Sequence, residues 1–152
     1  AGFRQWRGPE LKGFGGLVPH IENRDILGAL FMSAFLPGRA PDGGALLSVF
    51  MGGVRREDIY HLPDEQIKQV LERELKDMFR LPVFDPDLLK ITRYEHAIPQ
   101  YGRESRQRFQ TIRQVENQYN GLFIAGNLRD GIGMADRIRQ AADIASAIRP
   151  HQ

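Results

Sequence analysis

Gly121-Leu122-Phe123-Ile124-Ala125-Gly126-Asn127, running on through Leu128-Arg129-Asp130 into Gly131-Ile132-Gly133-Met134-Ala135-Asp136, decides how the chain reads. Residues 121–126 are a short apolar run of the kind that fills a buried strand. Asn127 to Gly133 is a turn containing glycine. From Met134 to Arg149, the residues Met134, Ile138, Ala141, Ala145 and Ile148 recur at helical spacing and predict a helix with that stripe inward. Strand, glycine turn and helix in this order can cradle a phosphate or a carbonyl. Orphan N–H groups point out of a helix start, and the helix dipole favours a negative or polarised group there. Glycines at 126, 131 and 133 let the backbone approach a ligand closely. Spacing alone leaves two readings open, a ligand cradle and a purely structural turn.

Residues 131–136 share two glycines with a dinucleotide fingerprint but lack the third. No second strand with a ribose-binding acid follows before Gln152, so the expectation is half of a cofactor site rather than a complete Rossmann unit. Upstream of this segment the first third reads as β. Phe3 to Trp6 is a short extended stretch, and Gly13 to Pro19 is a second. Glu22-Asn23-Arg24-Asp25 has turn chemistry before a strand from Ile26 to Met32. Pro37 to Gly44 is a loop, and Ala45 to Met51 is a strand ended by Gly52-Gly53. Short connections favour an antiparallel meander.

The middle of the chain is mixed. Pro63 to Phe79 predicts a helix, with Pro63 suited to the first turn, Asp64 and Glu65 at the positive end of the dipole, and Ile67, Leu71, Leu75 and Met78 inward. Leu88 to Tyr94 predicts a strand stopped by Ile98-Pro99. Gln107 to Tyr119 predicts a helix with Phe109, Ile112, Val115 and Tyr119 on one side. The whole reads as α+β, an antiparallel or mixed sheet with helices.

Composition agrees with a folded domain. The 152 residues (17.3 kDa) are 41% hydrophobic and 26% charged, which is a globular rather than a disordered balance. No apolar run approaches the roughly 18 residues of a membrane span. No basic and apolar leader is visible at Ala1, so no signal peptide is expected. Cysteine is absent, which removes disulfides, thiolate metal sites and cysteine nucleophiles together. The net charge of +2 does not argue for nucleic acid. Arg103, Arg106, Arg108 and Arg113 lie mostly off the apolar stripe of their helix. They read as a solvated face, or as contacts for an acidic partner of a non-catalytic binding or assembly module.

Reaction machinery is sparse. Gly13-Phe14-Gly15-Gly16 is no P-loop, because no Gly-Lys-Ser/Thr follows; close backbone packing is its plain reading. Phe14, Leu17, Phe31, Phe35, Phe50 and Met51 suit either a core or the wall of a large flat ligand. His20, His61, His96 and His151 lack metal-ligand spacing, so no metal is expected. No serine elbow is present, and Asp85-Pro86-Asp87 reads as a turn. No catalytic acid or base is assigned.

Several segments together resemble a known family. They are Gly13 to Pro19, Ile26-Leu27-Gly28, Phe35 to Pro41, Phe50-Met51-Gly52-Gly53, His96-Ala97-Ile98-Pro99-Gln100-Tyr101, and Gly121 to Asn127 running into Gly131 to Ile138. In this order they resemble the C-terminal part of flavin-dependent protoporphyrinogen oxidases, within the amine-oxidase-like FAD superfamily. Family members oxidise a porphyrinogen by hydride transfer to FAD, which oxygen or another acceptor reoxidises. The resemblance implies that residues 1–120 are part of a substrate-binding domain. Residues 121–152 would be the last strand, turn and helix completing an FAD domain. It implies cofactor contacts at Tyr94, Ala125, Gly126, Asn127, Ile132, Gly133 and Met134, with the Met134 N–H stabilising charge on the reduced flavin. Tyr94 stands where the family commonly has Trp, and Arg137 where Cys is frequent. Phe14, Leu17, Phe50, Met51 and Ile98 match positions that wall the tetrapyrrole. The parent would be a porphyrinogen oxidase of haem biosynthesis, homo-oligomeric, cytoplasmic or peripheral at a membrane, with this piece inactive by itself.

Overall fold

The computed structural model describes residues 1–148. Arg149, expected to end the last helix, and His151 lie outside the described residues. The elements are β1 (Gly2–Phe3), β2 (Gly15–Leu17), β3 (Ile26–Phe31), the single-turn α1 (Met32–Phe35), β4 (Ala45–Met51), α2 (Asp64–Phe79), α3 (Ser105–Gln118) and α4 (Met134–Ile148). They fall into two compact units, Ala1–Arg93 and Tyr94–Gln152. The fold class is α+β.

In the first unit, the four strands form one sheet in the order β1-β4-β3-β2, every pairing antiparallel. Strands β2, β3 and β4 make the expected meander. β1 instead adds beside β4, with Gly2 opposite Leu46. Residues alternate across β4: Ala45 and Leu47 are buried, and Phe50 is exposed, as the two-residue period of a strand requires. The inner face packs with α2 through a core of Phe3, Ala45, Leu47, Leu71, Leu75 and Leu81. Ile67, Leu71 and Leu75 are inward as their spacing predicts, and Met78 is exposed at the rim. Pro63 caps α2 with its carbonyl, which accepts from the Ile67 N–H at 3.0 Å. Arg80 ends the helix in the left-handed region at φ +49°.

Gly15 shows why the glycine-rich stretch carries no side chain: a Cβ there would stand 2.0 Å from the Ala29 carbonyl oxygen. The close-packing reading of residues 13–16 holds at Gly15, whereas Gly13 and Gly16 face open space. A charged cluster ties the start of β3 to α2. Asp25 pairs with Arg56 and Arg73, and buried Glu74 accepts from Arg24 at 3.3 Å and from the Asp25 N–H at 3.4 Å. The strand expected over 88–94 is not formed. Only Leu88 pairs, in one bridge to Gly2, because β1 offers two residues and no more.

The second unit is held differently. Ile112 on α3 is its only buried hydrophobic residue among those described. Ser105 and Gln140 are buried with it, and Tyr119 is exposed. The strand expected over 121–126 is absent. Two of its amides go to side chains instead: the Ile124 N–H donates to Glu116 Oε1 at 2.9 Å and the Gly126 N–H to Gln140 Oε1 at 2.9 Å. α4 reverses its expectation. Met134, Ile138, Ala141, Ala145 and Ile148 are exposed, and the buried residue is Gln140. Periodicity located an apolar stripe correctly, but nothing described in this unit covers it.

Candidate flavin site

The glycine turn of residues 126–133 is the most heavily bonded irregular segment of the second unit. Gly126 at φ +113° and Gly131 at φ +94° lie in the region that favours glycine, and Asp130 joins them at +61°. Gly133 does not share that conformation. Two residues of α4 reach back into the turn. Arg137 donates through Nη1 to the Gly126 carbonyl and to Gln140 Oε1 (2.7 Å), and through Nη2 to the Arg129 carbonyl at 2.8 Å. Gln140 donates from Nε2 to Asp130 Oδ2 at 2.8 Å. From the other side, the Tyr101 hydroxyl lies 2.7 Å from the Asn127 carbonyl and 3.1 Å from that of Gly131. Arg129 anchors the turn to α3 through both oxygens of Glu116, at 2.9 and 2.8 Å.

These bonds set the local acidity. Glu116 is held below the usual carboxylate range, first by the Ile124 N–H and then by Arg129. Asp130 is lowered by the Gln140 amide and by Arg129. A carboxylate whose folded pKa is depressed stabilises the fold above its unfolded pKa, and that contribution is lost as pH falls through the folded value. The turn's anchoring is therefore expected to be complete at neutral pH and to be lost only as pH falls below the range of an ordinary carboxylate. The amide shift of Ile124, followed by NMR, should titrate with a midpoint below that of an ordinary glutamate. A midpoint at or above the ordinary value would refute the assignment.

The start of α4 differs between adjacent amides. The Gly133 N–H donates to Asp136 Oδ2 at 3.1 Å, a side-chain cap within the first turn. The Met134 N–H has no hydrogen-bond partner among the described residues. Above Gly126 there is room: an added Cβ would meet only Leu128 Cδ2, at 3.9 Å. An open helix-start amide at the end of a turn that holds a bare, left-handed glycine is compatible with a flat, electron-accepting ring that takes up negative charge. The expected cofactor residues Tyr94, Ala125, Gly126, Asn127, Ile132, Gly133 and Met134 all belong to this unit. Ile132 and Met134 point apolar side chains to solvent, and Tyr94 is 70% exposed.

The residues expected to wall a substrate are not gathered as a set. Leu17, Gly28 and Phe50 form one cross-strand row on the outer face of the sheet. Gly28 is bare, and a Cβ there would meet Leu17 Cδ2 at 3.2 Å and the Gly16 carbonyl oxygen at 2.5 Å. Leu17 and Phe50 thus share an apolar floor. Phe14 sets its ring on Phe35 at 5.0 Å. Met51 lies one residue beyond Phe50, opposite buried Ile26, and packs against the core, so it does not share that floor. Ile98 is exposed in the second unit. Of the arginines on α3, Arg108 is not part of a free face: its guanidinium stands 5.7 Å from the Tyr101 ring and 5.6 Å from that of Phe109.

Sequence reasoning missed Tyr101, Asp136, Arg137 and Gln140 as groups that shape the turn. Gln140 carried a signal, a polar residue adjoining the apolar stripe of α4. Among the described residues, no group of three His, Asp or Glu could hold a metal, and no helix is long and apolar enough to cross a membrane.

Comparison with known proteins covers both units. The profile of the family described as flavin containing amine oxidoreductase matches residues 3–148. The chloroplastic protoporphyrinogen oxidase of Nicotiana tabacum is 31% identical over 142 residues, covering 91% of this chain and 26% of that protein. The coproporphyrinogen III oxidase of Bacillus subtilis is 26% identical over 132 residues, covering 86% of this chain and 28% of that protein. The chain therefore spans about a quarter of the length of these curated relatives. A crystal structure from Exiguobacterium sp. 255-15, assigned as a protoporphyrinogen oxidase, superimposes with a TM-score of 0.81 over 96% of this chain and 32% of its own. At 24% identity that likeness speaks for the fold alone.

Proposed function

The chain belongs to the flavin containing amine oxidoreductase family, and on that footing we propose that it is the C-terminal part of an FAD-dependent porphyrinogen oxidase. The substrate would be protoporphyrinogen or coproporphyrinogen, oxidised to the porphyrin of haem biosynthesis. The observation that carries this reading is the match along nine-tenths of the chain to oxidases of both kinds. The open amide at the glycine turn supports it from the chemistry. A non-catalytic module with an arginine face is not favoured, because the relatives named above are porphyrinogen oxidases.

FAD, when bound, supplies the hydride acceptor; oxygen or another acceptor takes the electrons onward. This chain's residues have more limited tasks. The Gly126–Gly133 backbone would lie against the cofactor, and the Met134 N–H would hold the negative charge that builds on the ring during reduction, as preorganised donors do. Leu17 and Phe50 would offer the apolar sheet face of the first unit to a macrocycle, with Phe14 as a further contact there, and Ile98 is a separate candidate contact carried by the second unit. Residues 1–120 would serve the substrate domain and 121–152 the FAD domain. Exposed Met134 and Ile138 would be covered by the rest of an FAD domain in the complete protein, and in this chain alone they would favour association into a homo-oligomer. The parent would work in the cytoplasm or at a membrane surface.

The test compares this chain with the complete protein that contains it. The complete protein should bind FAD stoichiometrically and turn protoporphyrinogen or coproporphyrinogen into fluorescent porphyrin, the faster of the two identifying the substrate. This chain alone should bind FAD weaker by orders of magnitude, each tenfold corresponding to about 1.4 kcal/mol of lost contacts, and should show no oxidation. A yellow, fully flavinated preparation of the chain alone would overturn the fragment reading. A complete protein inert toward both porphyrinogens would overturn the substrate.

A further inference from the structure

We propose that Arg137, seated by Gln140, is a positioning residue that locks the glycine turn into the shape a flavin requires before any flavin arrives; the inference rests on the flavin reading of the turn. The guanidinium spans the turn from below. Its two terminal nitrogens reach the carbonyls of Gly126 and Arg129, at the first positions of the turn and near its middle. A planar fork can hold two such acceptors at once. Gln140 fixes the fork. Its Oε1 accepts from Arg137 at 2.7 Å and from the Gly126 N–H at 2.9 Å, while its Nε2 donates to Asp130 at 2.8 Å. The Gly126 peptide is therefore held at its N–H by Gln140 and at its carbonyl by Arg137. Arg137 and Gln140 stand three residues apart, about one helical turn, so a single α4 face carries both toward the turn and leaves the Met134 amide free at the helix start.

Burial makes the clamp costly to leave unmade. Gln140 is 8% exposed, and buried amides and guanidinium groups without partners are strongly disfavoured. The second unit has one buried hydrophobic residue among those described, so apolar packing does not fix the turn in their place. Preorganisation of this kind lowers the ordering cost that a ligand would otherwise meet on binding.

Two measurements test it. In the 152-residue chain, Arg137→Met should speed hydrogen exchange at the Gly126 amide at least tenfold and leave the Ile112 amide of α3 unchanged. Unchanged exchange at Gly126 would overturn the clamp whatever the cofactor proves to be. In the complete protein, Arg137→Met should weaken FAD binding about tenfold and alter the visible spectrum of the bound flavin. Its loss of melting temperature should be no larger than that of Ile112→Val, a core variant that keeps FAD affinity. An affinity loss that merely tracks melting temperature in both variants would reduce Arg137 to a structural role. Arg137→Lys should fail to restore affinity, because one ammonium does not span both carbonyls, and full restoration would overturn the fork. A wild-type complete protein that binds no FAD would sink the oxidase reading, and the exchange result would then decide the clamp by itself.

Discussion

Leu75→Ala should lower the unfolding free energy of residues 1–93 by about 3–4 kcal/mol, within the usual range for a buried leucine. Leu75 is fully enclosed at 0% exposure and lies in the core that joins α2 to the inner face of the sheet. Truncation removes the transfer energy of its methyl groups and leaves a cavity that a packed helix and a hydrogen-bonded sheet cannot close. Against a total stability of about 5–15 kcal/mol for an ordinary domain, the loss is a large fraction. Trp6 is the single tryptophan, and it packs edge-on against Phe3 at 5.2 Å and Phe79 at 5.8 Å. Its fluorescence in a urea titration therefore reports this core. Leu88→Ala, at a residue 57% exposed, is the control and should change stability by about 0.5 kcal/mol or less. A loss below about 1 kcal/mol for Leu75→Ala would mean that the sheet and α2 do not share one cooperative core.

Leu75 was legible in the sequence because the residues that bury it are close by and periodic. Ile67, Leu71 and Leu75 repeat along one helix, and Ala45 and Leu47 alternate along one strand; each pattern names its own inward face. Residues 121–126 show the limit of that logic. Their apolar run fits a strand, but a strand exists only beside another strand. In the described residues the amides of Ile124 and Gly126 are met by Glu116 and Gln140 side chains instead. Met134 and Ile138 make the same point for a helix: periodicity shows that an apolar stripe exists and says nothing of what lies against it. The role of Arg137, and the partners of Gln140, were unreadable for another reason. Their partners are carbonyls and a carboxylate brought near by the turn, and no spacing rule encodes the path of a turn. The family was legible through the order of several weak motifs, each of which alone would have passed for a structural glycine or a core aromatic.

The turn itself yields the other large effect, at Gly131 rather than at Gly133. A branched residue at 133 would be expected to break the site if that glycine held a left-handed torsion. It does not, and a Cβ there would meet only the end of the Asp136 carboxylate, at 3.0 Å. Gly131 has φ +94°, and its Cβ would stand 2.3 Å from Asp136 Oδ2, 2.6 Å from Cγ and 3.0 Å from Cβ. Gly131→Val therefore meets two costs together. Valine is strained in that backbone region by about 1–3 kcal/mol, and it must also push aside the carboxylate that caps the Gly133 N–H, a contact of about 1 kcal/mol. With the cap displaced, the first turn of α4 frays and the Met134 amide loses its fixed direction. In the complete protein, Gly131→Val should lose bound flavin almost entirely, while in the 152-residue chain the Trp6 transition of the first unit stays where it is in the wild type. Gly133→Ala should retain most of the flavin, because Asp136 can yield by a few tenths of an ångström. Met134→Leu should retain all of it, since the side chain is 81% exposed and the backbone donor is unchanged. Flavin occupancy by absorbance, measured on all three variants beside the melting curve, separates the cases. If Gly131→Val and Gly133→Ala held flavin equally, the strained glycine and its capped neighbour would have no part in holding the cofactor.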